Sequence, residues 1–163
     1  MTKRAVITGV GHYLPKRIVL NSEFEETLNT SDDWIITRSG IRQRHFSNGD
    51  ETTSKMAVLA GKQAIEDANI AVSDLDAIIL ATSTADLTFP SAATMVQAGL
   101  GMRHGFAYDV QAVCAGFIYA LSTANAQIVS GQANRILVIG SETFSNLMDW
   151  SDRSTCVLFG DGA

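Results

Sequence analysis

Apolar residues along this chain fall into two alternating patterns. Nearly unbroken apolar runs occur at 77–83, Phe106–Val110 and 135–140, and longer stretches with wider apolar spacing separate them. Unbroken runs of this length read as strands covered on both faces. Between positions 53 and 69, Met56, Leu59, Ala60, Ala64, Ile65 and Ala68 recur at helical spacing and predict an amphipathic helix. Ser91 suits the cap of a second helix ending near residues 99–101, and a third follows the strand at Phe106–Val110. The strand starts at Ala77, Phe106 and Ile136 lie roughly thirty residues apart, the length of a βαβ unit. Right-handed crossovers make such units an α/β domain with a mostly parallel sheet and helices on both faces.

The first third is patterned more finely. Residues 4–10 read as a strand closed by Gly9-Val10-Gly11. The dinucleotide-binding fingerprint is excluded there, because Leu14 stands where its third glycine belongs and Pro15 follows. Asn21-Ser22 can cap a short acidic helix at 23–28. Ser31, then Asp32 and Asp33, then Gly40, mark the start, first turn and end of another helix. On it Trp34 and Arg38 are four apart and share a face. An indole beside a guanidinium can hold a flat ring or a phosphate, and reads equally as a surface Trp covered by its neighbour. Residues 41–46 alternate as a strand, Asn48-Gly49 marks a turn, and 155–159 reads as a last strand before Gly160-Asp161-Gly162-Ala163.

From Cys114 there is no charged residue until Arg135, and most positions are small or apolar. A helix apolar all round belongs inside a protein. Its first turn carries unpaired N–H groups and the positive end of the dipole, which favours a cysteine thiolate and a developing oxyanion. An inert core thiol is the competing reading. The place of Cys114 just past a strand's carboxyl end, where open α/β sheets hold their chemistry, favours the reactive one.

Composition narrows the classes. The chain has 163 residues, 46% hydrophobic and 18% charged, with net charge −5. That supports a sizeable core and gives no reason to expect a nucleic acid partner. Cys114 and Cys156 make neither a metal-ligand spacing nor a disulfide framework, so a reducing, cytoplasmic setting is expected. The N-terminal apolar run is too short for a signal peptide. Ser122, Thr123, Asn125 and Gln127 interrupt the apolar stretch at 112–129, so no membrane span is expected.

Four stretches, in order, resemble one family: TSDDWIITRSGIRQRH, FPSAA, VCAGFIYAL around Cys114, and DRSTCVLFGDGA. The chain is similar to β-ketoacyl-[acyl carrier protein] synthase III from residue 5 to 163. The resemblance implies a thiolase-like fold built of two similar halves, of which residues 1–163 match the N-terminal one, with the C-terminal half absent. It implies Cys114 as the acyl-accepting nucleophile, and Trp34 and Arg153 on either face of the coenzyme A adenine. Arg38 would contact the head group and Thr30 the rim of the cleft. Phe144 would line the acyl pocket, and Phe89 would reach into that of a homodimer partner. The implied reaction is a decarboxylative condensation of acyl-CoA with malonyl-acyl carrier protein through a cysteine thioester. It requires no cofactor; the coenzyme A thioester is a substrate. The histidine and asparagine of its second step belong to the other half, and His12, His45 and His104 read as structural. A starter enzyme for polyketide or quinolone products, and a non-catalytic coenzyme A-binding half-domain, are the competing expectations.

Overall fold

The computed structural model describes residues 3–163. Its centre is a parallel sheet in the order β4-β3-β5, formed by β3 (Ala77–Ala81), β4 (Phe106–Val110) and β5 (Ile136–Gly140). The register is regular: Ala77 pairs with Phe106 on one side and Ile136 on the other, and Ala81 with Val110 and Gly140. All of β3 is buried, as an unbroken apolar run requires. Side chains alternate between faces. Ile78 and Leu80, with Leu137 and Ile139, meet α3 (Thr53–Asp67) and α4 (Ala92–Leu100). Ile79 and Ala81 meet Ala120 and Ala124 of α5 (Gly116–Ser130) on the opposite face.

A smaller layer joins the antiparallel pair β1 (Arg17–Leu20) and β2 (Gln43–Phe46) to α1 (Asn21–Glu25) and α2 (Asp32–Ser39). Val19, Phe24, Ile35, Phe46, Cys156 and Val157 form its core. A short pair, β6 (Glu142–Thr143) and β7 (Asp161–Gly162), closes the chain's last loop.

Several expectations are corrected. Residues 4–10 form no strand. Backbone donors there go to side chains on the flanking helices: Ala5 N to Asn125 Oδ1 (3.2 Å) and Val10 N to Asp67 Oδ2 (2.9 Å). The glycines serve close approach to α3, since a Cβ on Gly9 or Gly11 would lie 2.4 or 2.3 Å from the carbonyl oxygens of Ala64 and Ala60. The strand expected at 155–159 is displaced by a helical turn, α6 (Arg153–Cys156). Asp152 caps it by accepting from Ser154 N (2.9 Å) and Ser154 Oγ (2.6 Å), and this local bonding overrides the apolar run that follows. The acidic helix at 23–28 is shorter and begins at Asn21, which does not cap it. The Asn21 amide instead donates to Asp32 Oδ1 and Ile41 O, both at 2.8 Å. The all-round burial expected of the helix after Cys114 is met on one side within this chain. Gly116, Ala120 and Ala124 are covered, whereas Phe117, Ile118 and Tyr119 are 44%, 62% and 56% exposed.

Candidate active site

The carboxyl edge of the sheet carries the candidate nucleophile. β4 ends at Val110, a short 3₁₀ turn spans Val113–Ala115, and α5 begins at Gly116. Cys114 therefore stands in the turn ahead of α5, not in its first turn, and is exposed. Val113 enters that turn with φ 47°, a region a β-branched residue rarely occupies. Such strain costs about 1–3 kcal/mol and persists only where the surroundings impose it. The surroundings are tight, because a Cβ on Gly116 would lie 3.3 Å from the Ala81 Cβ, so glycine lets α5 start against β3. The α5 N-terminus has Ala115 at its cap position and no side-chain acceptor. The Gly116 N–H already donates to Val113 O in the 3₁₀ turn, so an acceptor beside the cysteine would draw on the N–H groups that follow it.

Backbone bonds carry the ladder past the strand ends, from Thr82 N to Val110 O and from Ser141 N to Ala81 O, each 3.1 Å. Asp109 accepts from Ala92 N (2.9 Å) and Ala93 N (2.7 Å), fastening the start of α4 to the same edge.

A second cluster assembles in the smaller layer. The Ser31 cap accepts from Trp34 N at 3.1 Å, and Gly40 ends α2 with φ 74°, both as the sequence predicts. The Arg38 guanidinium lies 4.3 Å from the Trp34 ring centroid and that of Arg153 lies 4.8 Å from it. Arg153 also donates to Asn29 O. At these distances the arginines pack directly on the indole, so a flat ring enters between Trp34 and Arg153 only when Arg153 swings aside. Thr30 adjoins this cluster, and its buried hydroxyl has no partner among the described residues.

The two phenylalanines stand apart. Phe89 is 83% exposed on the loop between β3 and α4. Phe144 follows β6 and packs on Phe159, with ring centroids 4.6 Å apart. Cys156 is buried, and burial raises its thiol pKa above the ordinary value. His45 lies with Nδ1 2.6 Å from Pro15 O. Among the described residues no group of His, Cys, Asp and Glu is arranged to hold a metal.

Sequence reasoning missed two contributors. Asp152 positions Arg153 by capping the turn that Arg153 opens, and the Asp-Arg-Ser-Thr order carried that capping signal. Arg44 is buried, donates to Val157 O (2.9 Å) and Val19 O (3.4 Å), and lies 4.7 Å from the Phe24 ring centroid. Desolvation lowers its pKa. Nothing in the pattern at 41–46 separates this inward arginine from its exposed neighbour Arg42.

The family profile of 3-Oxoacyl-[acyl-carrier-protein (ACP)] synthase III matches residues 108–163. The whole chain is 70% identical to the β-ketoacyl-[acyl-carrier-protein] synthase III of Ruegeria sp. (strain TM1040), of which it covers 50%. The chain is therefore similar to members of the β-ketoacyl-[acyl-carrier-protein] synthase III family. It corresponds to an N-terminal half of such a synthase and has the thiolase-like fold. The solved 3-oxoacyl-[acyl-carrier-protein] synthase III of Aquifex aeolicus VF5 is 50% identical, with TM-score 0.93 over 96% of this chain and 50% of its own. A priming β-ketosynthase from the R1128 polyketide pathway is 35% identical, with TM-score 0.93 over 99% of this chain and 49% of its own. The chain thus spans about half the length of the relatives it matches.

Proposed function

We propose that this chain carries the acyl-accepting part of a β-ketoacyl-[acyl-carrier-protein] synthase III that starts fatty acid synthesis. The observation that carries the reading is Cys114, exposed in the turn between β4 and the uncapped N-terminus of α5. The Cys114 thiolate attacks the thioester carbonyl of a short acyl-CoA. The oxyanion is held by N–H groups at the start of α5, and the coenzyme A thiolate leaves. Trp34, Arg38, Arg153 and Thr30 receive the coenzyme A head group at the entrance, with Arg153 yielding its place on the indole to the adenine. Phe89 and Phe144 bound the acyl chain. Malonyl-acyl carrier protein then loses CO₂, and its carbanion attacks the acyl thioester and expels the Cys114 thiolate. The groups that assist this second step belong to the C-terminal half of the family's chains, and Phe89 acts across a homodimer. No cofactor is needed, and the setting is cytoplasmic.

The likeness to the R1128 priming enzyme favours a second reading, in which the primer serves a polyketide. The identity of 70% to the Ruegeria synthase III, against 35% to the priming enzyme, supports fatty acid initiation. Incubation with acyl-CoA thioesters of graded length, followed by intact-mass measurement, tests both. Mass gain that follows acetyl-CoA and is abolished in Cys114→Ala supports the first reading. Gain only with longer primers supports the second, and gain that survives Cys114→Ala removes both.

A further inference from the structure

A polar network lies behind the two phenylalanines, and neither of its carboxylates is used by the chemistry above. The Glu142 carboxylate accepts from Ser83 N (2.8 Å), Thr82 Oγ1 (3.2 Å) and Thr84 Oγ1. Thr84 Oγ1 in turn accepts from Thr143 N (2.9 Å). Thr53 Oγ1, at the start of α3, donates to Thr84 O (2.6 Å) and lies 3.2 Å from Thr143 Oγ1. Ser141 Oγ donates to Thr53 O at 2.8 Å. On the same loop Asp86 accepts from Ser54 N (3.1 Å), Thr52 Oγ1 (3.1 Å) and Ser54 Oγ.

Three segments are stapled in this way: the stem of the β3–α4 loop, the start of α3 and the turn after β5. Thr53, Ser54, Thr82, Ser141 and Thr143 are all buried. Placing carboxylates among them costs desolvation free energy that apolar packing would not. The one salt bridge found among the described residues, Arg17–Glu23, involves neither Glu142 nor Asp86. A polar network of this kind specifies geometry, and among its hydroxyls only Ser83 Oγ is left without a partner among the described residues. What it specifies is the placement of the chain just before each phenylalanine. Asp86 holds the stem of a loop whose tip bears Leu87 and Phe89, 51% and 83% exposed. Glu142 ties the other end of that stem to the segment that runs straight into Phe144.

We infer that Glu142 and Asp86 are positioning residues that fix where Phe144 and Phe89 stand, and so which acyl chain length Cys114 accepts. This rests on the reading of both phenylalanines as walls of the acyl site. The measurement is the ratio of Cys114 acylation rates with acetyl-CoA and hexanoyl-CoA, by intact mass, on this chain joined to the C-terminal half of the Ruegeria relative. Glu142→Ala and Asp86→Ala are expected to shift the ratio by about tenfold, the scale on which a methylene's fit in an apolar pocket is discriminated. Glu142→Gln is expected to restore it, because its carbonyl still accepts from Ser83 N and its amide can donate to hydroxyls that turn to accept. Cys114 alkylation by iodoacetamide stays at the parent rate throughout. Should the alanine variants fail to fold, Glu142→Asp, which withdraws the carboxylate by one methylene, carries the same expected shift.

A Glu142→Ala or Glu142→Asp protein that melts earlier yet keeps the parent ratio overturns the inference and leaves a purely structural staple. Phe89→Ala and Phe144→Ala separate the levels. If both leave the ratio unchanged, the acyl-site reading falls and takes the inference with it. If they shift it while the Glu142 and Asp86 variants do not, the inference alone falls. No acylation of the parent removes Cys114 as the acceptor and overturns both.

Discussion

Cys114 and Cys156 show how position decides what one side chain does. The first stands exposed in a turn whose neighbour Val113 is held at φ 47°, and the second is buried against Val19, Phe24 and Ile35 with its pKa raised by desolvation. Brief iodoacetamide treatment near neutral pH is therefore expected to label Cys114 and spare Cys156, and tandem mass spectrometry reads the site. Predominant labelling of Cys156 would remove the nucleophile assignment. Trp34 offers a similarly local test. Its indole carries two guanidiniums within 4.3 and 4.8 Å of the ring centroid. Replacing Trp34 with Ala should weaken coenzyme A binding by about 1–3 kcal/mol, the range for base–aromatic stacking. Calorimetry on a form that binds coenzyme A checks this, and the alkylation rate of Cys114 should not change.

At the scale of elements, polar side chains tie the sheet to its connections. Asp76, just before β3, accepts from Asn134 N (2.6 Å) and Arg135 N (3.0 Å) and so holds the entry to β5 beside the entry to β3. These backbone bonds to Asn134 and Arg135 pull its carboxyl below the usual range. A depressed folded-state pKa contributes stability that is present above the unfolded value and is lost as pH falls through the folded one. Asp76→Asn should therefore lower stability at neutral pH by about 1–2 kcal/mol, as expected for hydrogen bonds to a charged acceptor in a partly exposed site. The parent should lose that advantage on acidification. Urea unfolding at neutral pH and below the carboxylate range measures the difference, and a gap independent of pH would assign the effect to packing instead.

For the molecule as a whole, the uncovered apolar surface is the dominant fact. Val6, Ile7 and Val10 are 68%, 72% and 70% exposed, and Ile118 on α5 is 62% exposed. A groove of about 760 Å³ is lined by residues 5–11 together with apolar side chains of α3, α5 and β5. The stretch Val113–Ser130 is long and apolar enough to cross a membrane by length and composition alone, which core helices of soluble proteins also satisfy. Surface of this kind drives association in water. The 163-residue chain should self-associate at micromolar concentration, and light scattering that finds a stable 17.5 kDa monomer would contradict this.

Local chemistry was legible in the sequence. The caps at Ser31 and Ser91 and the left-handed helix ends at Gly40 and Gly101 follow from hydrogen bonding and sterics within a few residues. The three parallel strands follow from their apolar runs, but only β3 is buried throughout; within this chain β4 keeps some exposure at every position. The four quoted stretches pointed to the family that the relatives share. What remained to the tertiary structure depended on neighbours distant in the chain. Whether residues 4–10 form a strand depends on a ladder partner, and their donors found Asn125 and Asp67 instead. Whether 155–159 is strand or turn was settled by the Asp152 cap and by burial of Cys156 and Val157. The contact of Arg153 with Trp34, and the bonds from Glu142 to Thr82, Ser83 and Thr84, join residues far apart in sequence. Periodicity records which side of an element is apolar; only the folded chain decides what that side meets.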